Sequence, residues 1–322
     1  MEVDEDYLNE QPLPNHLRCA SHTLSLTCTT DARTALKGSF SKLYHSVFGK
    51  CSALWNLSGR PKSAETINNI FQCQLRLPCP TRWNSLYDSV LLLTQHKNVL
   101  NDLMTALQLP CFKDIEIEFL EEYILVFQPI AVALDRLQGD KSCFYGTLLP
   151  TLLVIEKKFK RLNTSLLKHV HPLLTALASG FENRFREFLS LHSSAYTAVL
   201  ASISNPNHKI KWLAINPEYN TEENRKKYQE MLIMAVRNDV QANTSKEPNE
   251  VMDIAEGSSP DDFFEYESLS STSPASLNKD ELEIEVLKYL TDNDRSLQSL
   301  NRYPVLKKSF CTTILHYLRR PL

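Results

Sequence analysis

Residues 119–137 read FLEEYILVFQPIAVALDRL, with apolar Phe119, Tyr123, Phe127, Ile130, Leu134 and Leu137 recurring every three or four positions. That spacing lines one face of an α-helix, whereas a half-buried strand would alternate at every second residue. Pro129 within the run lacks a backbone N–H and is expected to kink the helix. The same period continues on both sides. Upstream it takes in Leu86, Val90, Leu93, Leu100, Leu103 and Leu107. Downstream it appears in Leu148, Leu152, Ile155, Phe159 and Leu162, then in Val170, Leu174, Leu177, Phe181, Phe185 and Phe188. Each stripe is too long and too regular for a strand. Amphipathic helices bury such stripes against one another, so the sequence predicts a mainly α protein built as a helical bundle.

Composition agrees with that reading. Only 7 of the 322 residues are glycine, roughly a third of the usual ~7 % usage, so tight hairpins and Gly-rich phosphate cradles are scarce. Hydrophobic residues make up 43 % and charged residues 23 %, as in ordinary globular domains. The formal net charge of -3 hides an uneven distribution. Residues 1–10 hold five acids and no base, and residues 247–285 hold 12 acids against Lys279 alone. Residues 11–246 hold 27 bases and 19 acids, so a basic body is flanked by acidic segments. Such a body can meet phosphate while its acidic ends stay solvated; an ordinary surface with an acidic loop reads the same way.

The acidic residues after Met1 carry the wrong charge for a secretory or mitochondrial leader, and no apolar run approaches the ~20 residues that span a bilayer. No membrane association is expected. The eight cysteines form no Cys-x-x-Cys pair and read as reduced thiols, which points to the nucleus or the cytoplasm.

Along the chain, residues 1–15 read as an extended lead-in with Pro12 and Pro14. The segment Leu17–Leu26 reads as a short strand running into a helix. Thr221 is the expected N-cap of a helix reaching about Val240. Residues 243–277 form an acidic Ser/Pro linker with little material for a core. Asn278-Lys279-Asp280-Glu281 resembles a capping box and opens a helix through Leu290. A last helix follows Pro304, carrying Leu306, Phe310, Ile314 and Leu318.

Three segments, in order, resemble blocks of the hAT-type DNA transposase superfamily. Arg18-Cys19-Ala20-Ser21-His22-Thr23-Leu24-Ser25-Leu26 is similar to its R-C-x-x-H-x-L-x-L. Pro80-Thr81-Arg82-Trp83-Asn84-Ser85 is similar to its T-R-W-N-S block. Asn205-Pro206-Asn207-His208-Lys209-Ile210-Lys211-Trp212-Leu213 is similar to H-P-x-F-K-x-x-W-L. The resemblance implies a partial RNase H-like α/β core at 16–80, a helical insertion domain at 81–242, the linker, and the start of a dimerisation region at 278–322. In that family an Asp/Asp/Glu set holds two divalent metals for in-line phosphoryl transfer. Its aspartates lie upstream of R-C-x-x-H, and its glutamate lies in an E-R-x-F-S block beyond the Tyr303-Pro304 stretch. Only 17 residues precede Arg18 and the sequence ends at Leu322, so the resemblance implies a catalytically inactive chain with no catalytic residue, metal or cofactor.

The resemblance also assigns ancillary positions. The family's C-x-x-H sits beside its active site, which would place Cys19 and His22 there against DNA, although His22 alone reads as a packed core histidine, and Arg82 and Trp83 would handle an extruded base. An indole face stacks on an unpaired base for ~1–3 kcal/mol, and an arginine holds the adjoining phosphate. Lys157, Lys158, Lys160 and Arg161, with Lys168, could contact phosphate or simply solvate a helix face. Cys19, His22 and Cys28 are irregularly spaced for zinc, and His169 with His171 project to different sides of a helix. Trp83 could equally start its helix, and Trp212 reads as core. The expected partners are DNA, a second copy or another transposase-like protein, with no small-molecule substrate. Alternative readings are a dimerisation module without DNA binding and a remnant without function. Apolar Leu287, Leu290, Val305, Leu306, Phe310, Ile314 and Leu318 would build the dimer surface.

Overall fold

A computed structural model of the chain describes residues 19–79, 83–138, 144–244 and 279–309. The lead-in, most of the acidic linker, Asn278, Phe310, Ile314 and Leu318 lie outside the described residues, as does Arg82. The regular structure is helical, and no strand occurs among the described residues. The α-helices are α1 (Ala20–Leu26), α2 (Gly38–Ser58), α3 (Pro61–Phe71), α4 (Trp83–Gln95), α5 (Lys97–Ala106), α6 (Asp114–Leu137), α7 (Leu148–Asn163), α8 (His171–Leu189), α9 (Tyr196–Ser204), α10 (Glu222–Thr244), α11 (Lys279–Thr291) and α12 (Pro304–Ser309).

The mainly helical expectation holds, but the α/β core expected at 16–80 does not appear. The strand expected within Leu17–Leu26 is helix α1, which runs on into a π turn at Thr27–Asp31 and a 3-10 turn at Ala32–Ala35. The threonine hydroxyls of this stretch are absorbed locally, while Ser21 Oγ is buried without a partner among the described residues. Thr23, Thr27 and Thr29 each donate their hydroxyl to the carbonyl four residues back. Ala20, Leu24 and Cys28 then share one buried face. An isolated strand here would have had no ladder partner for its backbone groups. Residues 38–71, also placed in that core, are the helices α2 and α3.

The chain divides into two compact units, one within Met1–Lys141 and Lys158–Arg186, the other within Ser142–Lys157 and Glu187–Pro321. In the first, α6 is the axis. All six residues of its predicted stripe are buried, and α1, α2 and α4 pack against it. Pro129 lies inside α6, which continues to Leu137. Phe40, Tyr44 and Phe48, four residues apart on α2, meet Phe119 and Tyr123, with ring centroids 5.8 Å apart for Phe40–Phe119 and 5.2 Å for Phe48–Tyr123. Each buried aromatic contributes about 1.5–3 kcal/mol through the area it removes from water.

Two polar clamps orient these helices. Glu116, buried in the first turn of α6, accepts from Ser46 Oγ at 2.7 Å, from the Lys113 N–H at 2.8 Å and from Lys50 Nζ. Glu122, two turns on, accepts from three successive backbone N–H groups, of Lys168, His169 and Val170, at 2.8, 2.8 and 3.1 Å. Those groups stand just ahead of α8, so a carboxylate meets the positive end of that helix. The stripe over 86–107 belongs to two helices, α4 and α5, separated at His96.

In the second unit, a 3-10 turn at Tyr145–Thr147 packs on α9. A Cβ on Gly146 would lie 2.2 Å from the Ala201 carbonyl oxygen, so only glycine fits that approach. Thr221 caps α10 as expected, its Oγ1 accepting the Asn224 N–H at 3.2 Å. Trp212 is core, 5.6 Å from Tyr228. Lys209 is buried too: its Nζ donates to the carbonyls of Asp292 at 2.7 Å and Asp294 at 3.2 Å and sits 4.7 Å from the centre of the Tyr289 ring. A cation thereby satisfies carbonyls at the C-terminal end of α11.

Candidate nucleic-acid interface

Trp83 is the first residue of α4 and is half-buried. Its ring lies 4.9 Å from Phe127 and 6.3 Å from Tyr87. One edge therefore belongs to the α4–α6 packing, while the rest borders a cavity of about 120 Å³ that is also lined by Cys28, Thr29, Arg33, Phe40, Tyr44 and Tyr123. Trp83 thus meets the stretch that directly follows residues 19–26, although no residue of 19–26 itself lines the cavity. Cys28 and Thr29 continue the helix that begins with Cys19 and His22, and they face the same cavity as Trp83. At 1.5 Å rise per residue, His22 lies roughly 9 Å along that helix from Cys28.

Cys19 and His22 are both exposed. Cys19 caps α1, its Sγ accepting the His22 backbone N–H at 3.5 Å. The Cys-x-x-His spacing here is thus the spacing from an N-cap to the third helical residue. Cys28 is buried, and burial followed by nearby Asp31 pushes its thiol well above the usual range. Burial likewise raises the phenols of Tyr44 and Tyr123, so both hydroxyls remain protonated donors. Among the described residues no three of His, Cys, Asp and Glu converge as a metal site.

The basic run is not presented as one face. Lys157 and Lys158 are half-buried, whereas Lys160 and Arg161 are exposed in the last turn of α7, where cations complement the helix dipole. Lys168 Nζ and His169 Nε2 each lie 3.1 Å from Glu118 Oε2. Hydrogen bonds from His169, then from Lys168, hold the Glu118 carboxyl below its ordinary range. His171 is exposed at the start of α8.

Sequence reasoning missed Arg33, Tyr44 and Tyr123 as neighbours of Trp83. The available signal was the i, i+4 spacing of Phe40, Tyr44 and Phe48, the same spacing that marked Phe119, Tyr123 and Phe127 as helical. No protein-family model matches the chain, and no curated protein matches it at a significant level.

Proposed function

We propose that the first compact unit belongs to a catalytically inactive, transposase-derived helical body that binds unpaired DNA in the nucleus. The observation that carries this reading is the meeting of Trp83 with the helix begun by Cys19 and His22 at one cavity edge. Trp83 belongs to a segment that carries the hAT resemblance, Cys28 and Thr29 closely follow the other such segment, and Trp83 keeps part of its ring at an opening where a base could stack. Exposed Arg33 borders the same opening. The motif segments matched by this chain position substrate in that family; its metal-binding acids belong to other segments, so the reading assigns no catalytic residue.

Binding of a flapped and a fully paired duplex tests the proposal. Affinity falls as salt rises, since phosphate contacts release counterions. Arg82→Ala with Trp83→Ala weakens the flapped duplex more than the paired one. Equal loss on both, or no binding at low salt, refutes the DNA reading. Mg²⁺-dependent strand nicking that EDTA abolishes refutes the inactive one.

A second reading, a protein-interaction module, is favoured by Ile284 and Leu287, which are 49 % and 43 % exposed one turn apart on α11. Leu290 and Leu306, expected on that surface, are buried within the second unit instead. A strictly monomeric species in sedimentation at tens of micromolar removes self-association from this reading.

A further inference from the structure

The cavity beside Trp83 has features that stacking of a base on its edge does not use. Phe40, Trp83 and Phe127 give it aromatic walls, and Tyr44 and Tyr123 add two phenols. Tyr123 is only 2 % exposed, and burial keeps its hydroxyl protonated. The half-buried Tyr44 hydroxyl is held protonated in the same way. A protonated phenol at a cavity wall is a donor that a ligand's polar atom can use. Arg33 lines the same space, is exposed, and has no carboxylate partner among the described residues. No Asp or Glu lines the cavity, so it is built for an anion rather than an amine.

Size sets the next limit. A cavity of about 120 Å³ is slightly smaller than an engineered apolar cavity of about 150 Å³ that admits benzene, so two fused rings are too large, and a single ring enters with its polar end outside, at exposed Arg33. We propose that this cavity binds a single-ring aromatic acid, its ring among Trp83, Phe127 and Phe40 and its carboxylate on Arg33. A hydroxyl on the ring would take up Tyr44 or Tyr123. The sequence led to no expectation of a small-molecule substrate, and these walls come from separate segments of the first unit. The proposal does not depend on DNA binding.

The test titrates the full chain with benzoate, following tryptophan fluorescence and saturation-transfer NMR. Saturable binding is expected, with a fluorescence response lost in Trp83→Phe. Arg33→Gln, at an exposed position, should weaken benzoate about tenfold while leaving phenol unchanged, because only the acid uses the guanidinium. Tyr123→Phe should weaken 4-hydroxybenzoate more than benzoate. The proposal fails if benzoate gives no saturable signal up to about 10 mM, well above the millimolar affinity that one ring and one ion pair can supply. It also fails if Arg33→Gln binds benzoate like the wild type, if cyclohexanecarboxylate binds as well as benzoate, or if a single-stranded oligonucleotide occupies the cavity and benzoate does not.

Discussion

Asp31 receives both Nε and Nη2 of Arg184, at 2.6 and 2.9 Å, a forked contact that joins the π turn after α1 to the middle of α8. One turn earlier on α8 stands Gly180. A Cβ there would lie 2.4 Å from Asp31 Oδ2 and 2.5 Å from its Cβ. The ion pair and the glycine are two halves of one close approach.

Gly180→Ala should therefore destabilise the chain by about 1–3 kcal/mol, because the new methyl meets Asp31 rather than open space. The same change at Gly49, inside α2 with nothing within 4 Å of an added Cβ, should stabilise by about 0.5–1 kcal/mol through helix propensity. Urea denaturation of the two variants checks both signs. A stabilising Gly180→Ala would disprove the contact.

Arg184→Ala leaves the Asp31 carboxylate, itself partly buried, with one flank open. The pair's side chains are 27 % and 20 % exposed, so solvent screens it in part, and a loss of about 1–2 kcal/mol is expected. Arg184→Lys should recover little of it, since an ammonium cannot reproduce the two-pronged contact. Chemical denaturation midpoints of the three proteins decide this.

Glu116 predicts how stability depends on acid. Burial raises its pKa, but the Lys113 N–H, Lys50 and Ser46 outweigh that, and the carboxyl ends below its ordinary value of 4.5. A depressed folded pKa means that the stabilisation is fully present above the unfolded value and is lost as pH falls through the folded one. Wild type should thus lose stability below about pH 4.5 more steeply than Glu116→Gln. At neutral pH the variant should be weaker by about 1–3 kcal/mol, because an amide N–H₂ replaces one carboxylate oxygen and the charge that Lys50 pairs with is gone. Parallel pH–stability curves would refute this.

Lys209→Met should loosen α11. It keeps the aliphatic stem but removes the donor to the Asp292 and Asp294 carbonyls and the cation over Tyr289. About 1–3 kcal/mol is at stake, concentrated locally. Hydrogen exchange at residues 286–300 should speed up in the variant, while amides in α6 keep their protection. Uniform acceleration would show that Lys209 does not act locally.

The helices were legible where burial imposes a long period on one stretch of chain. The run from Phe119 to Leu137 needs no partner to be read, since four-residue spacing already says which side faces inward. The cap at Thr221 and the helix start at Pro304 were legible for the same local reason. The segment from Cys19 to Leu26 was not: its hydroxyl-rich pattern suits a strand until Thr23, Thr27 and Thr29 fold back on their own turn. The cavity was beyond sequence reasoning altogether.

The amino-acid order by itself determined that this is a helical protein, because amphipathic period is a property of neighbours a few residues apart. Only the tertiary structure decided that Trp83 would stand beside Tyr123, Arg33 and the helix of Cys19, and that Lys209 would be buried under Tyr289. Those relations depend on how helices cross. Crossing is chosen by the fit of whole surfaces, which no single stretch of sequence carries.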